Sequence, residues 1–498
     1  MKKFFYLFFS IIFCCFISIQ FTGCSKSEVD KASKNLSSYS LDISLDDDAK
    51  TIQGKESIIY YNKTGKELSY LCLHLYPRAF RKDALIKPYS SLNIATCFPN
   101  GLSYGNIEIK SVKVNGEGNN FEIVGEDEDI LKLNFGFDLQ NKKSAEIEIE
   151  FLLTIPNCTH RFGYYDGNIN LGNWYPIVCE FDGENFDTSP YYSTGDPFNS
   201  SVANYEVRFT YPSSYLLCST GKIDSSSNNE TTTATIKAKA VRDFAMCLSS
   251  KSKIVKDEAS SVEVMYMGYS DDENHNEMLI ISKEALSYFN KTFGTYPYST
   301  LSIVKTPFIY GGMEYPNVVF VSDAIDDEEE YLKVIVHEIA HQWWYSAVGN
   351  NEIQDAWLDE SLAEYSTALF FENHNKYGLS YKDLVQDALS SYLLYVDVIG
   401  TIRGEVNTKM NLKVYEYQND YEYSYMVYVK GVIMFDNLRD VVGINKIVAG
   451  LKKYYADNKF KIASTADFFK AFKSACHKDL DGFFDSYLNG TVIIANLN

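Results

Sequence analysis

Positive charge is what this sequence is shortest of. Its 46 Lys and Arg face 66 Asp and Glu, a formal net charge of -20 with a pI near 4.9. Such a chain repels nucleic-acid phosphates and has no electrostatic attraction to anionic lipid, so nucleic acid is not expected as a partner. None of its 10 cysteines forms a Cys-x-x-Cys pair, which argues against a cysteine metal site. Histidine is scarce too, at 7 residues, so two of them at ligand spacing carry weight. Internal repeats and low-complexity tracts are missing, which excludes a solenoid or an array. Aromatics are the reverse case: with 39 Tyr and 32 Phe, no single aromatic is evidence of function on its own.

A chain of 498 residues is too long for one ordinary core, and its 46% hydrophobic, 22% charged composition is globular. The first residues read as an export signal: Lys2 and Lys3, an apolar run from Phe4 to Phe21, then Thr22, Gly23 and Cys24. Small residues directly before a cysteine resemble the cleavage box of bacterial lipoproteins, so residues 1–24 are expected to be a signal ending at a lipidated Cys24. Two acyl chains on that cysteine would anchor the protein to a membrane. The alternative is an uncleaved anchor helix over the same run. Either way the body is expected outside the cytoplasm. Residues 25–40, rich in Ser, Lys, Asn and Asp, read as a flexible tether. Of the seven cysteines after Cys24, six precede residue 250, where one or two disulfides would fit without an assignable pairing.

Over residues 41–252 the pattern is strand-like, most clearly in Ala145 to Phe151, where apolar and acidic residues alternate. Ile107 to Val114, Tyr205 to Tyr211 and Thr233 to Val241 follow the same rule. This half is expected to be an antiparallel β domain. From residue 253 to 498 the period changes, and helices are predicted from Glu277 to Phe293, Asp327 to Ala347, Trp357 to Asn373 and Tyr381 to Val398. Two short strands, Leu301 to Lys305 and Asn317 to Val321, fall between the first two. The whole is a multidomain β plus α+β protein.

Within the second of these helical patterns lies His337-Glu338-Ile339-Ala340-His341. Imidazoles spaced i and i+4 project from one helix face and can share one zinc ion. Glu338 lies beside that face, placed to act on water polarised by the metal rather than to ligate it. Zinc needs a third protein ligand, which Glu360 on the next helical pattern offers. Position 344 is Trp and 347 is Ala, so no third histidine follows at the spacing of metzincins. Asp359 is a candidate to orient His341, and Glu364 a weaker one. Met313, Trp343 and Trp344 read as core or cleft wall.

Three ordered elements, Gly311-Gly312-Met313-Glu314, the His337 to Glu360 set, and Tyr428-Val429-Lys430-Gly431, give the chain a resemblance to the gluzincin zinc aminopeptidase family over residues 41–490. The resemblance implies a thermolysin-like catalytic domain with a mixed sheet and a mostly helical second half. It implies one zinc held by His337, His341 and Glu360, with Glu338 as general base. Tyr428 would then hydrogen-bond the developing oxyanion, and Glu314 would pair with the free α-ammonium of a peptide substrate. Gly311, Gly312 and Met313 would lie along the peptide. Two departures bear on substrate: Tyr315 and Pro316 follow the anchor glutamate where relatives commonly have Asn, and no second amine-gripping residue is assignable, Glu180 being only a guess. The expected activity is a zinc aminopeptidase. Its rivals are a zinc endopeptidase of the same type and a non-catalytic peptide-binding lipoprotein.

Overall fold

The computed structural model describes residues 27–490. The export signal and the lipidated Cys24 therefore lie outside the described residues. Where a mobile tether was expected over 25–40, a short helix Glu28–Ala32 and a strand beginning at Ser38 are present. The helix is tied down by ion pairs of Glu28 with Lys459 and of Asp30 with Lys239, because its acids meet two lysines that a sequence pattern does not reveal.

The N-terminal half is built on an eight-stranded sheet with the strand order 222–227, 231–241, 203–212, 38–46, 51–61, 144–154, 106–114, 117–118. The alternation in Ser144–Thr154 sends Ala145, Ile147, Ile149, Phe151 and Leu153 into the core, which is what fixes its register. Gly54 lies opposite Phe151, and a Cβ there would come 2.1 Å from the Phe151 ring. One pair, Ser38–Asp46 with Ala203–Pro212, is parallel in this otherwise antiparallel sheet. Two four-stranded sheets complete the half.

Sheet membership changes between Ser249 and Ser252. The next five strands form one mixed sheet in the order 252–259, 262–269, 300–306, 318–322, 312–313. Gly312–Met313 is its edge. Behind it pack His275–Thr292 and the histidine helix Glu328–Ala340; the glutamate helix Trp357–Asn373 packs on these two, and Tyr381–Arg403 packs on the glutamate helix. The histidine helix starts where Asp327 accepts a hydrogen bond from the Glu330 amide, with Glu328, Glu329 and Glu330 in its first turn. It stops at Ala340 rather than running to Ala347, because the backbone turns back after His341 and Tyr345 takes a positive φ of 128°. Trp343, Trp344 and Trp357 are fully buried around this turn. All seven cysteines among the described residues are free thiols. No helix among the described residues is long and apolar enough to cross a membrane.

Candidate active site

A cleft of about 750 Å³ opens between the β half and the helices, and His337, Glu338, His341, Glu360, Glu314, Gly311, Gly312 and Tyr428 all line it. His337 and His341 bring their Nε2 atoms 3.0 Å apart, and each lies 3.2 Å from Glu360 Oε2. Three electron-pair donors converging in this way repel one another unless a cation lies between them. A tetrahedral zinc roughly 2.0–2.1 Å from each nitrogen would space its ligands about 3.3 Å apart, so this donor set fits one zinc ion. The electrostatics agree. Burial alone would depress both imidazoles, yet Glu360 and the neighbouring carboxylates raise His337 well above its ordinary value and His341 to about 10. Burial would raise Glu360, but His341 and His337 hold it far below the carboxylate range. The trio attracts positive charge.

The outer nitrogen of each imidazole is also occupied. His341 Nδ1 lies 2.9 Å from the Trp344 carbonyl oxygen, and His337 Nδ1 lies 3.2 Å from Glu364 Oε1. Those partners turn both Nε2 atoms toward the metal position. Asp359 does not orient His341: it accepts instead from Asn350 Nδ2 at 3.1 Å and from the Glu360 amide. The tight turn after His341 delivers the Trp344 carbonyl first. Glu364, the weaker candidate, is the one in contact, because it stands one helical turn beyond Glu360 and so shares its face.

Glu338 is buried, and burial pushes its carboxyl up to about 7 against the opposing pull of His337 and His341. Gly312 makes room for it, since a Cβ at that position would come 2.2 Å from Glu338 Oε1. Tyr428 sits in a π-helical turn, Tyr425–Val429, with its hydroxyl donating to Glu360 Oε1 and its ring stacked 6.0 Å from His337. Its neighbours separate by geometry: Tyr425 stacks on Tyr395 away from the cleft, while Tyr423 lines it. Lys430 and Gly431 are structural. Lys430 donates to the carbonyls of Thr408 and Tyr487, and a Cβ on Gly431 would come 2.3 Å from Ser361 Oγ.

Glu314 is buried, its Oε1 without a hydrogen-bond partner, and burial followed by the Asp196 charge raises it well above its ordinary value. Asp196, on a loop of the β half, brings a carboxylate oxygen within 4.8 Å of ligand atoms of Glu314 and Glu360, and it pairs with Arg161. Neither Asp196 nor Arg161 stands at a spacing that sequence reasoning can use. Glu180 lines a separate pocket beside Tyr39 and Phe181, so it does not reach the cleft. Met313 is fully buried in the core rather than on the cleft wall, because alternation along the edge strand turns it inward while Gly312 faces Glu338. Tyr315 is likewise buried, its hydroxyl donating to Asn173 Oδ1 at 2.6 Å, and it does not line the cleft. Two of the remaining histidines are packed away from the cleft: His160 lies 3.0 Å from the Pro88 carbonyl and His74 stacks on Tyr76, while His477 is exposed.

Residues 278–487 match the model of the peptidase family M1 domain. Leukotriene A-4 hydrolase of Xenopus laevis is 28% identical over 204 residues, which is 40% of this chain and 32% of that protein. Aminopeptidase N of Lactobacillus helveticus is 27% identical over 225 residues, 42% of this chain and 26% of that protein. The chain thus spans about a third or less of the length of these relatives. A solved structure of the M1 zinc metallopeptidase of Deinococcus radiodurans, a variant bound to a Tyr-Ser-Ala substrate, covers 93% of this chain and 95% of its own, with a TM-score of 0.64 at 14% identity. That is a likeness of fold.

Proposed function

We propose, since this chain belongs to the gluzincin peptidases of family M1 through its residues 278–487, that it is a zinc aminopeptidase removing N-terminal residues from peptides. The observation that carries this reading is the pair of carboxylates, Glu314 and Asp196, placed beside the metal trio at one end of the cleft. A free α-ammonium seated between them would set the first peptide bond over His337, His341 and Glu360. An acetylated terminus has no charge to offer there.

When bound, zinc would polarise both water and the scissile carbonyl. Glu338 takes the proton from the attacking water and returns it to the departing amine, a task that suits a buried carboxyl raised toward neutrality. Tyr428 turns its hydroxyl from Glu360 to the carbonyl oxygen as charge grows there. The edge strand at Gly312 offers unpaired backbone groups along which an extended peptide lies as an added strand. Comparing hydrolysis of one peptide with a free and with an N-acetylated terminus tests the reading. Strong preference for the free amine is expected, and equal cleavage of both would leave the endopeptidase in its place.

We further propose that the body is held outside the cytoplasm by lipid on Cys24, a reading supported by Lys2, Lys3, the Phe4 to Phe21 run and the small residues before the cysteine. Intact mass of membrane-extracted protein tests it: a chain still beginning at Met1 overturns it.

A further inference from the structure

Spacing along the chain assigns no cysteine pairs, whereas the folded backbone brings six of the seven described cysteines together as three couples. The Cys179 amide donates to the Cys72 carbonyl at 2.9 Å and continues the register that sets Val178 against Leu73, so these two residues lie opposite on antiparallel strands. Cys218 and Cys247 are opposite one another where Leu216–Ser219 pairs with Met246–Ser249. Cys97 and Cys158 meet through loops: the Thr159 amide donates to the Cys97 carbonyl at 2.9 Å, and the two thiols are hydrogen-bonding neighbours. Opposite residues of an antiparallel pair share a face with Cα atoms about 4.5–5.5 Å apart, inside the roughly 4.4–6.8 Å that a disulfide spans. All six side chains are buried. The contacts their sulfurs would give up are weak ones, such as Cys247 Sγ at 3.3 Å from Asn170 Oδ1 and Cys218 Sγ at 4.0 Å from Met267 Sδ. The seventh, Cys476, ends the helix Thr465–Cys476 and faces the Lys446 carbonyl instead. Seven thiols scattered through a core of this size would seldom give three such couples.

We propose that the exported protein carries three disulfides, joining Cys72 to Cys179, Cys97 to Cys158 and Cys218 to Cys247, and leaves Cys476 a free thiol. In each, two thiols give up two protons and two electrons to a disulfide oxidant, R–S–S–R, which departs as two R–SH while one S–S bond forms. Burial pushes the Cys218 thiol up to about 12 and holds Cys158 and Cys179 well above the ordinary thiol value. Little thiolate exists in the finished fold, so the bonds form while the chain is folding and are then shielded from reduction. The inference rests on the placement outside the cytoplasm for its oxidant, since a reducing compartment keeps such thiols open. One of the three bonds bears on the cleft. Cys158 precedes Thr159, His160 and Arg161, and Arg161 holds Asp196. A bond from Cys97 to Cys158 therefore pins the run that steadies the carboxylate at the amine end.

The test takes membrane-extracted full-length protein, blocks free thiols with iodoacetamide under denaturing conditions, and maps the unreduced peptides by mass spectrometry. A second sample is first reduced, unfolded and refolded in a buffer of glutathione and glutathione disulfide, which supplies the oxidant directly. Three cross-linked peptide pairs and an alkylated Cys476 are expected from both. Six alkylated cysteines in both samples overturn the proposal and show the couples to be thiols packed as small apolar side chains. Couples open in the extracted protein but closed after refolding place the fault in the export reading and leave the pairing standing. In Cys97→Ser, Cys158 should become alkylated while the other two bonds persist; a new partner for Cys158 overturns the pairwise assignment. The parent's map decides the matter if the variant fails to fold.

Discussion

Glu338 and Glu364 flank the same imidazole pair, yet substitution should separate their work. Glu338→Gln would remove the proposed proton acceptor and leave His337, His341 and Glu360 unchanged. We expect kcat to fall by about 10²–10⁴-fold, the contribution usual for a positioned general base, with zinc content unchanged by elemental analysis. Glu364→Gln instead weakens the partner of His337 Nδ1. Its expected effect is a loss of roughly 10–100-fold in zinc affinity, read by competition with a chromophoric chelator. At the amine end, Asp196→Asn should raise KM for free-amine peptides while sparing whatever slow cleavage an N-acetylated peptide shows. An equal loss on both substrates would mean that Asp196 only supports Arg161.

At the scale of elements, the site depends on how closely two helices approach. The glutamate helix Trp357–Asn373 and the helix Lys430–Val442 meet where Gly431 faces Ser361, and Ser361 Oγ donates to the Val427 carbonyl. That contact seats the π-helical turn that presents Tyr428. A methyl at Gly431 would have to displace Ser361, whose Cα lies 2.9 Å from the added Cβ. Overpacking of this kind costs about 1–3 kcal/mol. Gly431→Ala is therefore expected to lower stability by that amount in denaturant titration. It should also reduce kcat, because Tyr428 moves with the turn. A stability loss with full kcat would show that Tyr428 is positioned independently of this packing.

Across the whole molecule, one apolar core runs through both halves, and buried polar contacts tie them together as well. Arg242, from the β half, holds three backbone carbonyls, two of them, Tyr345 and Lys461, in the helical half. Asn170 reaches Pro307 and Thr306 in the same way. Arg242→Met leaves three buried acceptors without their charged donor, each worth about 1–3 kcal/mol, so a loss of at least about 3 kcal/mol is expected by denaturant titration. Metal binding should act on the same scale. Zinc held by His337, His341 and Glu360 would join the histidine and glutamate helices, and a ligand that binds only the folded state stabilises it by mass action. Chelation is expected to lower the melting temperature, and re-addition of zinc to restore it.

Much of this protein could be read from local order along the chain. The alternation in Ala145 to Phe151 and the helical period of Trp357 to Asn373 are written in neighbouring residues, and so is the shared face of His337 and His341, because strand and helix periods are properties of consecutive backbone. The cessation of the histidine helix at Ala340 was not legible, since it depends on Tyr345 adopting a conformation that only its surroundings enforce. Nor could spacing choose Tyr428 over Tyr423 and Tyr425. Asp196 beside Glu314 and Glu28 on Lys459 join positions on different elements. Sequence sets which side chains an element can present and on which face. Which distant faces then meet is decided by packing of the whole core, and it is there that Asp196 and Glu314 come to stand beside Glu360.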